Sequence, residues 1–319
     1  MEITAAQVKE LRDATGAGMM DCKRALAESG ADFDKAVMWL REKGMAKAAK
    51  RASKVASEGA VVSCIADDGR SGAVAEVNCE TDFVARGDEF RGFAATVCAQ
   101  ALAAGAGCDS ADALLDQPSV KDASRTLRDA VSELTGKCGE KVSLRRFARF
   151  ALADGDTGAV VTYIHMGGKI GVLAEVGCEK AEGLQSEAFR AFASDLCLQI
   201  CAANPRWVNS SEVPQADYDN EMALYVKQAM ETGKPEAVCK KIAEGKMSKY
   251  YSEVCLLDQP FVKDDKRAIK DLVGELTGKC GGKISVRGFV RFQLGEGIEK
   301  QVSNLAEEVA AELAKAEGK

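Results

Sequence analysis

The chain has 319 residues, of which 46% are hydrophobic and 29% charged, a composition typical of a soluble globular protein of about two domains. Its 43 lysines and arginines against 49 aspartates and glutamates give a net charge of −6, which excludes a surface that binds nucleic acid over its whole extent. No apolar run approaches the roughly 18 residues of a membrane helix, and the chain does not begin with a signal-peptide hydrophobic block. We therefore expect a cytoplasmic protein without membrane association.

Residues 1–55 predict three short helices followed by a basic connector. Thr4 is placed to cap the first helix, a glycine-containing break at 15–18 separates it from the second, and Asp32 is placed to cap the third. The basic residues of the connector are Lys43, Lys47, Lys50, Arg51 and Lys54. A solvated linker helix accounts for this charge, and contact with RNA or an acidic partner is the alternative.

An internal repeat organises the middle of the chain. The sequence LDQP at 115–118 returns at 257–260, an offset of 142, whereas AEVNCE at 75–80 matches AEVGCE at 174–179 at an offset of 99. The difference between the offsets shows that the second copy carries an insertion of 43 residues.

Each copy predicts an antiparallel sheet with helices packed on it, so the fold class is α+β. The first copy, 56–153, reads as two strands joined by a turn, a long helix, a short helix at 124–134 stopped by Gly136, and a closing strand. The alternation of the closing strand predicts a sheet with one solvated face. The second copy, 154–206 and 252–295, repeats this order.

The insertion, 207–251, predicts an antiparallel helical hairpin, because the sequence TGKP at 232–235 interrupts two helical patterns. The apolar stripes are Tyr218, Met222, Tyr225 and Ala229 in the first helix, and Val238, Ile242 and Met247 in the second. A two-helix unit must bury such stripes, either as additional core or against a partner protein or a second copy of the chain.

The last predicted element is an amphipathic helix within a C-terminal module, 296–319. Its apolar positions are Val302, Leu305, Val309 and Leu313. The stripe predicts that this helix packs on another surface.

The chain contains twelve cysteines and one histidine, His165. No Cys-x-x-Cys pair occurs, and the closest pair, Cys197 and Cys201, is one helical turn apart. Zinc sites usually need such pairs or histidine partners, so we expect no metal site and no cofactor. A single histidine also excludes most Ser-His, Cys-His and two-histidine metal chemistry, which argues against an enzyme.

The two copies differ directly after their shared strand. The first reads Thr81-Asp82-Phe83-Val84, whereas the second has the sequence KAEGLQ at 180–185. A phenylalanine that only one copy carries is not required by the fold, and an exposed Phe83 beside a carboxylate suits insertion into a partner. The alternative is that Phe83 packs locally and Asp82 caps the following helix.

The sequence TGKC, present at 135–138 and 277–280, superficially resembles a phosphate-binding loop. No glycine stands at the required position before it, and a cysteine replaces the serine or threonine. We therefore expect a turn, and no direct binding of nucleotide by this chain.

Two long segments resemble the signatures of the translation elongation factor Ts family: VKELRDATGAGMMDCKRAL at 8–26 and CETDFVAR at 79–86. Shorter matches continue to GEGIE at 295–299, so the resemblance covers nearly the whole chain. It implies an N-terminal three-helix domain like ubiquitin-associated domains, a duplicated α+β core, an inserted coiled-coil arm and a C-terminal helical module.

The resemblance also implies a function, that of a guanine-nucleotide exchange factor for elongation factor Tu, without covalent chemistry. By the family pattern Phe83 would be the wedge and Asp82 the acid that disturb the Mg²⁺ and phosphate site of the GTPase, with Thr81 and Val84 setting the loop. The residues that the pattern assigns to further partner contacts are Arg12, Met19, Met20 and His165. For Met20 the alternative is the core of the three-helix domain, and for His165 it is a surface turn.

Two other classes remain open at this point. An RNA- or ribosome-binding accessory protein would use the basic residues of 43–54 and show a steeply salt-dependent affinity. A thiol enzyme would use a cysteine, but three cysteines recur in both copies, as structural residues do. These pairs are Cys79 and Cys178, Cys98 and Cys197, and Cys138 and Cys280.

Overall fold

The computed structural model describes residues 3–105, 107–233 and 235–299, and the chain is a mixed α+β structure with small antiparallel sheets. Within these residues no helix combines the length and the apolar character needed to span a membrane. The helix predicted at 302–313 lies outside the described residues.

The N-terminal segment contains the three predicted helices, α1 (Ala5–Thr15), α2 (Met19–Glu28) and α3 (Phe33–Arg51). The predicted caps are confirmed: Thr4 Oγ1 accepts a hydrogen bond from the Gln7 backbone N–H, and the Asp32 carboxylate accepts one from that of Lys35. Gly16 ends α1 at a φ of 65°, in the left-handed region that favours glycine. Four of the five basic residues of the connector lie in the second half of α3, and Lys54 follows the helix.

The two copies of the repeat contain equivalent strands and helices in the same order, except that a short 3-10 turn, Leu256–Asp258, stands in the second copy where the first has the helix Ala111–Leu115. The first consists of β1 (Glu58–Ile65), β2 (Ser71–Cys79), α4 (Asp82–Arg86), α5 (Asp88–Ala103), α6 (Ala111–Leu115), β3 (Pro118–Ser119), β4 (Asp122–Thr126), α7 (Leu127–Cys138) and β5 (Ser143–Ala151). The second consists of β6 (Gly158–His165), β7 (Ile170–Cys178), α8 (Ala181–Leu184), α9 (Glu187–Ala203), then, after the arm described below, β8 (Pro260–Phe261), β9 (Asp264–Ala268), α12 (Ile269–Cys280) and β10 (Ile284–Gln293). The main sheets are antiparallel with orders β1-β2-β5 and β6-β7-β10.

Both faces of the main sheets are covered, so the predicted solvated face is wrong. Ala73 points into the core under α5, whereas its neighbour Val74 joins Val160 and Leu173 in a second core between the two sheets. The approach is close enough that a Cβ added to Gly72 would lie 2.9 Å from Val160 Cγ1. The side chains that alternate away from the helices therefore meet the other copy of the repeat instead of water.

Glu76 on β2 is a fully buried carboxylate at the edge of this inter-sheet core. It accepts hydrogen bonds from Arg145 (2.9 Å), Arg146 (2.6 Å) and the backbone N–H of Gly295 (2.8 Å). Burial opposes its ionisation, but the hydrogen bonds and the positive charges outweigh that effect and lower the Glu76 pKa. The clamp joins the first sheet to the turn that follows β10.

The helix predicted at 124–134 is present as α7, but its predicted bounds and the predicted stop at Gly136 are wrong. Residues Asp122–Thr126 are a strand, and α7 runs past Gly136 and ends at Gly139, whose φ is 72°. Gly136 lies where α3 crosses α7, and a Cβ there would be 2.9 Å from the Cα of Gly44. Glycine in the interior of α7 therefore allows α3 to approach α7 closely at this position. The basic half of α3 is therefore packed against the first copy and is not a solvated linker.

The arm consists of α10 (Gln215–Met230) and α11 (Glu236–Val254), which confirms the predicted hairpin. At its base the backbone N–H groups of Arg206 and Trp207 both donate to the carbonyl of Val254. The stripe predicted for the second helix is wrong at Val238, which is exposed. The buried positions of α11 are Cys239, Ala243, Met247 and Tyr250. Self-association through the arm stays a prediction.

Candidate functional site

Phe83 lies on α4, a single helical turn that directly follows β2. Its side chain is 83% exposed, whereas the next residues, Val84 and Ala85, pack against the core of the first copy. The helix is capped by Thr81, and the Asp82 carboxylate forms a 2.8 Å ion pair with Arg86. The alternative in which Phe83 packs locally and Asp82 is the cap is therefore wrong. The turn presents an aromatic ring to solvent from a helix whose other face is anchored.

Glu140, in the connection from α7 to β5, holds the start of this helix. One carboxylate oxygen accepts from the Thr81 backbone N–H at 2.9 Å, and the other accepts from the Thr81 hydroxyl at 2.6 Å. The Thr81 hydroxyl in turn accepts from the Val84 backbone N–H. Hydrogen bonds to an ionised acceptor are among the stronger ones in proteins, so this contact fixes the direction in which α4 leaves the sheet.

Glu140 was missed from the sequence, although the repeat contains a signal that could have found it. At the offset of 142 its counterpart is Gly282, and a Cβ at Gly282 would lie 3.0 Å from the Lys180 side chain. The first copy therefore differs from the second both in the residues of α4 and in the residue that holds α4. A comparison of the two copies at the offset of 142, in addition to the offset of 99, would have shown that Glu140 also occurs only in the first copy.

Glu80 links the same loop to the N-terminal helices. Its carboxylate accepts from the Lys141 backbone N–H at 2.6 Å and pairs with Arg51, the last residue of α3, at 2.8 Å. Burial opposes its ionisation, but these two hydrogen bonds lower the Glu80 pKa below the ordinary value. Its counterpart Glu179 accepts from the Lys283 backbone N–H in the second copy. This glutamate is thus part of the shared scaffold, and only its pairing with Arg51 involves α3.

The basic residues of α3 are largely engaged inside the protein. Lys43 and Lys47 each lie 2.9 Å from the Asp21 carboxylate on α2, and these hydrogen bonds lower the Asp21 pKa. With Arg51 paired to Glu80, three of the five cations in the connector have acidic partners. This neutralisation weakens the hypothesis of an RNA-binding connector.

Arg12, Met19 and Met20 are exposed at the junction of α1 and α2. Met20 is 71% exposed, so its alternative placement in the three-helix core is wrong. The break between these helices lies against the start of α5, because a Cβ at Gly16 would be 3.5 Å from Glu89 Oε1. Since α5 directly follows α4, this break between α1 and α2 lies near the segment of the first copy that carries Phe83.

His165 lies at the tip of the β6–β7 hairpin, on the opposite side of a groove from α4. Asp82 and Arg86 line one side of this ≈ 610 Å³ groove, and Met166 lines the other. The Tyr163 hydroxyl is 2.9 Å from His165 Nδ1, which orients the imidazole, and Met166 is exposed. The structure therefore places the hairpin tip near the Phe83 helix, although the two belong to different copies.

The described part of the chain contains no group of three or more His, Cys, Asp or Glu side chains arranged to hold a metal ion. The exposed apolar side chains at this site, Phe83 and Met166, are suited to contact with another macromolecule.

Comparison with known proteins agrees with the sequence motifs. The family model described as "Elongation factor TS" matches residues 80–296. This chain belongs to the elongation factor Ts family. Proteins named elongation factor Ts from Clostridium perfringens (strain SM101 / Type A) and Clostridium botulinum (strain Alaska E43 / Type E3) are each 46% identical, over 97% and 98% of this chain and 98% and 100% of their own lengths. That of Clostridium tetani is 43% identical over 98% of this chain and 99% of its own. Membership in the elongation factor Ts family makes the chain a translation elongation factor.

Proposed function

We propose that this protein binds elongation factor Tu carrying GDP and promotes GDP release by disturbing the Mg²⁺ and phosphate site of that GTPase. The observation that carries the proposal is the exposed ring of Phe83, which stands on an anchored helix and has no phenylalanine counterpart in the second copy of the repeat. No covalent step is involved.

The physical basis is the way a GTPase holds its nucleotide. Mg²⁺ and the phosphate-binding loop neutralise the phosphates, and Mg²⁺ requires nearly ideal octahedral coordination. An apolar ring inserted next to this site moves the elements that support the metal, and a nearby carboxylate such as Asp82 competes electrostatically with the phosphates. Because α4 is held by Glu140 and by the core, its own displacement cannot absorb the insertion.

The remaining site residues supply binding energy in this proposal. Met19 and Met20 offer adaptable apolar side chains beside the charge of Arg12, and His165 with Met166 offers a second contact across the groove. Thermodynamic linkage requires reciprocity: if the factor weakens GDP binding by some ratio, GDP weakens binding of the factor equally. Excess GTP then displaces the factor and completes the cycle.

The test measures the release of fluorescent GDP from elongation factor Tu. Burial of a phenylalanine side chain contributes about 1.5–3 kcal/mol, so Phe83→Ala is expected to slow factor-stimulated release by roughly 10- to 150-fold. Folding should be unaffected, because the ring has few contacts within the protein.

Val262→Ala is a matched control, since Val262 is also an exposed apolar residue but lies on the turn between β8 and β9. The Val262→Ala factor should stimulate GDP release at the wild-type rate. If the Phe83→Ala factor stimulated GDP release as fast as this control does, the assignment of Phe83 as the wedge would be wrong.

A further inference from the structure

Among the twelve cysteines, Cys64 on β1 and Cys98 on α5 form a close thiol pair. Their sulfur atoms are 3.0 Å apart, within the van der Waals separation of two sulfurs, with the Cys98 thiol donating to Cys64 Sγ. The Cys64 thiol in turn lies 3.3 Å from the Cys98 carbonyl. A disulfide bond needs an S–S distance of about 2.05 Å, so a closure of about 1 Å would join the two side chains.

The pair is open to small molecules. Both cysteines line the ≈ 610 Å³ groove between α4 and the β6–β7 hairpin, and Cys64 is only partly buried. Cys98 is buried behind it. A low-molecular-weight disulfide that enters the groove therefore meets Cys64 first.

The duplication shows that the pair is not required by the fold. At the offset of 99, Cys98 corresponds to Cys197, but Cys64 corresponds to Tyr163. The strand registers agree with this alignment, because Cys64 faces Ala73 and Tyr163 faces Val172. The second copy thus has the helix cysteine without a thiol at the partner position on the strand.

We propose that Cys64 and Cys98 are a reversible redox modification site that forms an intramolecular disulfide by exchange with a low-molecular-weight disulfide. The proposal is independent of the proposed exchange function.

The reaction proceeds in two steps. The Cys64 thiolate attacks one sulfur of the small disulfide, which forms a mixed disulfide and releases one small thiolate that takes up a proton. Cys98 then loses its proton to water and attacks Cys64 Sγ, which forms the Cys64–Cys98 bond and releases the second small thiolate. In total the two protein thiols lose two electrons, and the small disulfide is reduced to two thiols.

The environment agrees with this order of attack. The hydrogen bond from Cys98 favours the thiolate form of Cys64 and lowers its pKa. The same hydrogen bond, followed by burial, raises the pKa of Cys98. Cys64 is therefore the attacking thiol and Cys98 the resolving one.

The bond would close the chain between 64 and 98, a segment that includes β2 and the Phe83 helix. Because such a ring restricts the unfolded chain, the oxidised protein should unfold at a Tm higher by several degrees. Reduction with dithiothreitol should return the Tm to its original value.

The experiment treats the folded full-length chain with oxidised glutathione, alkylates the remaining thiols in denaturant, and maps tryptic peptides by mass spectrometry. Trypsin releases Cys64 in peptide 55–70 and Cys98 in peptide 92–121. We expect these two peptides to be linked, with a mass lower by two hydrogen atoms than the sum of the free peptides, while Cys197 remains alkylated.

Peptide 92–121 also contains Cys108, so variants assign the bond. Cys98→Ser and Cys64→Ser should each abolish the link, and Cys108→Ser should retain it. Since Cys64 is only partly buried, its serine variant keeps the test valid even if Cys98→Ser fails to fold. A link that survives Cys64→Ser or Cys98→Ser, equal oxidation of all cysteines, or a lower Tm of the linked form would each overturn the proposal.

Discussion

The contact between Glu140 and Thr81 offers a sharp test of how the Phe83 helix is held. Glu140→Ala removes two hydrogen bonds to a carboxylate, of 2.9 and 2.6 Å, while leaving Phe83 unchanged. Such bonds contribute about 1.5–3 kcal/mol each when buried. Water can partly replace them at this half-buried position, so we take about 2 kcal/mol for the pair.

If α4 must then be ordered when the partner binds, this free energy is subtracted from the stability of the complex. A loss of about 2 kcal/mol corresponds to a roughly 30-fold slower stimulated release of GDP at limiting concentrations of the factor. The assay is the fluorescent GDP release described above, with Tm recorded for every variant to separate local from global effects.

Glu182→Ala is the control, because Glu182 is an exposed glutamate on α8, the equivalent helix of the second copy. It should leave both exchange and Tm unchanged. The double variant Phe83→Ala, Glu140→Ala should stimulate GDP release no more slowly than Phe83→Ala alone, since the Glu140–Thr81 contact acts by holding the helix that carries the ring. A Glu140→Ala protein that exchanges like wild type would refute the argument that α4 must be held.

Two further predictions concern stability. Gly136→Ala should lower the free energy of unfolding by about 1–3 kcal/mol, because its Cβ would meet Gly44 at 2.9 Å. Gly278, at the equivalent position of α12, faces open space, so Gly278→Ala should raise the free energy of unfolding by up to about 1 kcal/mol. Thermal or urea unfolding compares the two variants, and equal effects would contradict the close crossing of α3 and α7. Glu76→Gln leaves two arginines facing a neutral side chain and should lose about 3–5 kcal/mol at neutral pH. Because the pKa of Glu76 is lowered in the folded protein, its contribution to stability is fully present above the ordinary glutamate pKa and is lost as the pH falls through the lowered value. The difference in unfolding free energy between variant and wild type, measured in urea, should therefore shrink in acid. A difference that does not depend on pH would show that the ionised Glu76 carboxylate is not its cause.

Local signals in the sequence predicted most of the elements. The caps at Thr4 and Asp32 depend only on side-chain hydrogen bonds to backbone groups three residues away, so their geometry is contained in a short segment. The repeat adds a second reading of the same fold, which supports the assignment of strands and helices in both copies. It also isolates Phe83 as a residue that the scaffold does not need.

Predictions that depended on which other element packs against a helix were less successful. Gly136 resembles a helix stop in the sequence, yet it is needed because α3 crosses there. Val238 fits one apolar spacing of α11, but the register of the hairpin buries Cys239 and Ala243 instead. In both cases the deciding contact comes from a residue distant in sequence, on a helix whose rotation no local pattern determines.

The sequence by itself determined the family, the duplicated α+β core and the one-sided occurrence of the Phe83 motif, because these depend on residue identity and on comparison between two copies in one chain. Only the tertiary structure decided that Phe83 is exposed, that Glu140 holds its helix, and that Cys64 meets Cys98. Each of these is set by the distance between side chains that are brought together only when sheets and helices pack, and that packing minimises the free energy of the whole fold rather than of any one segment.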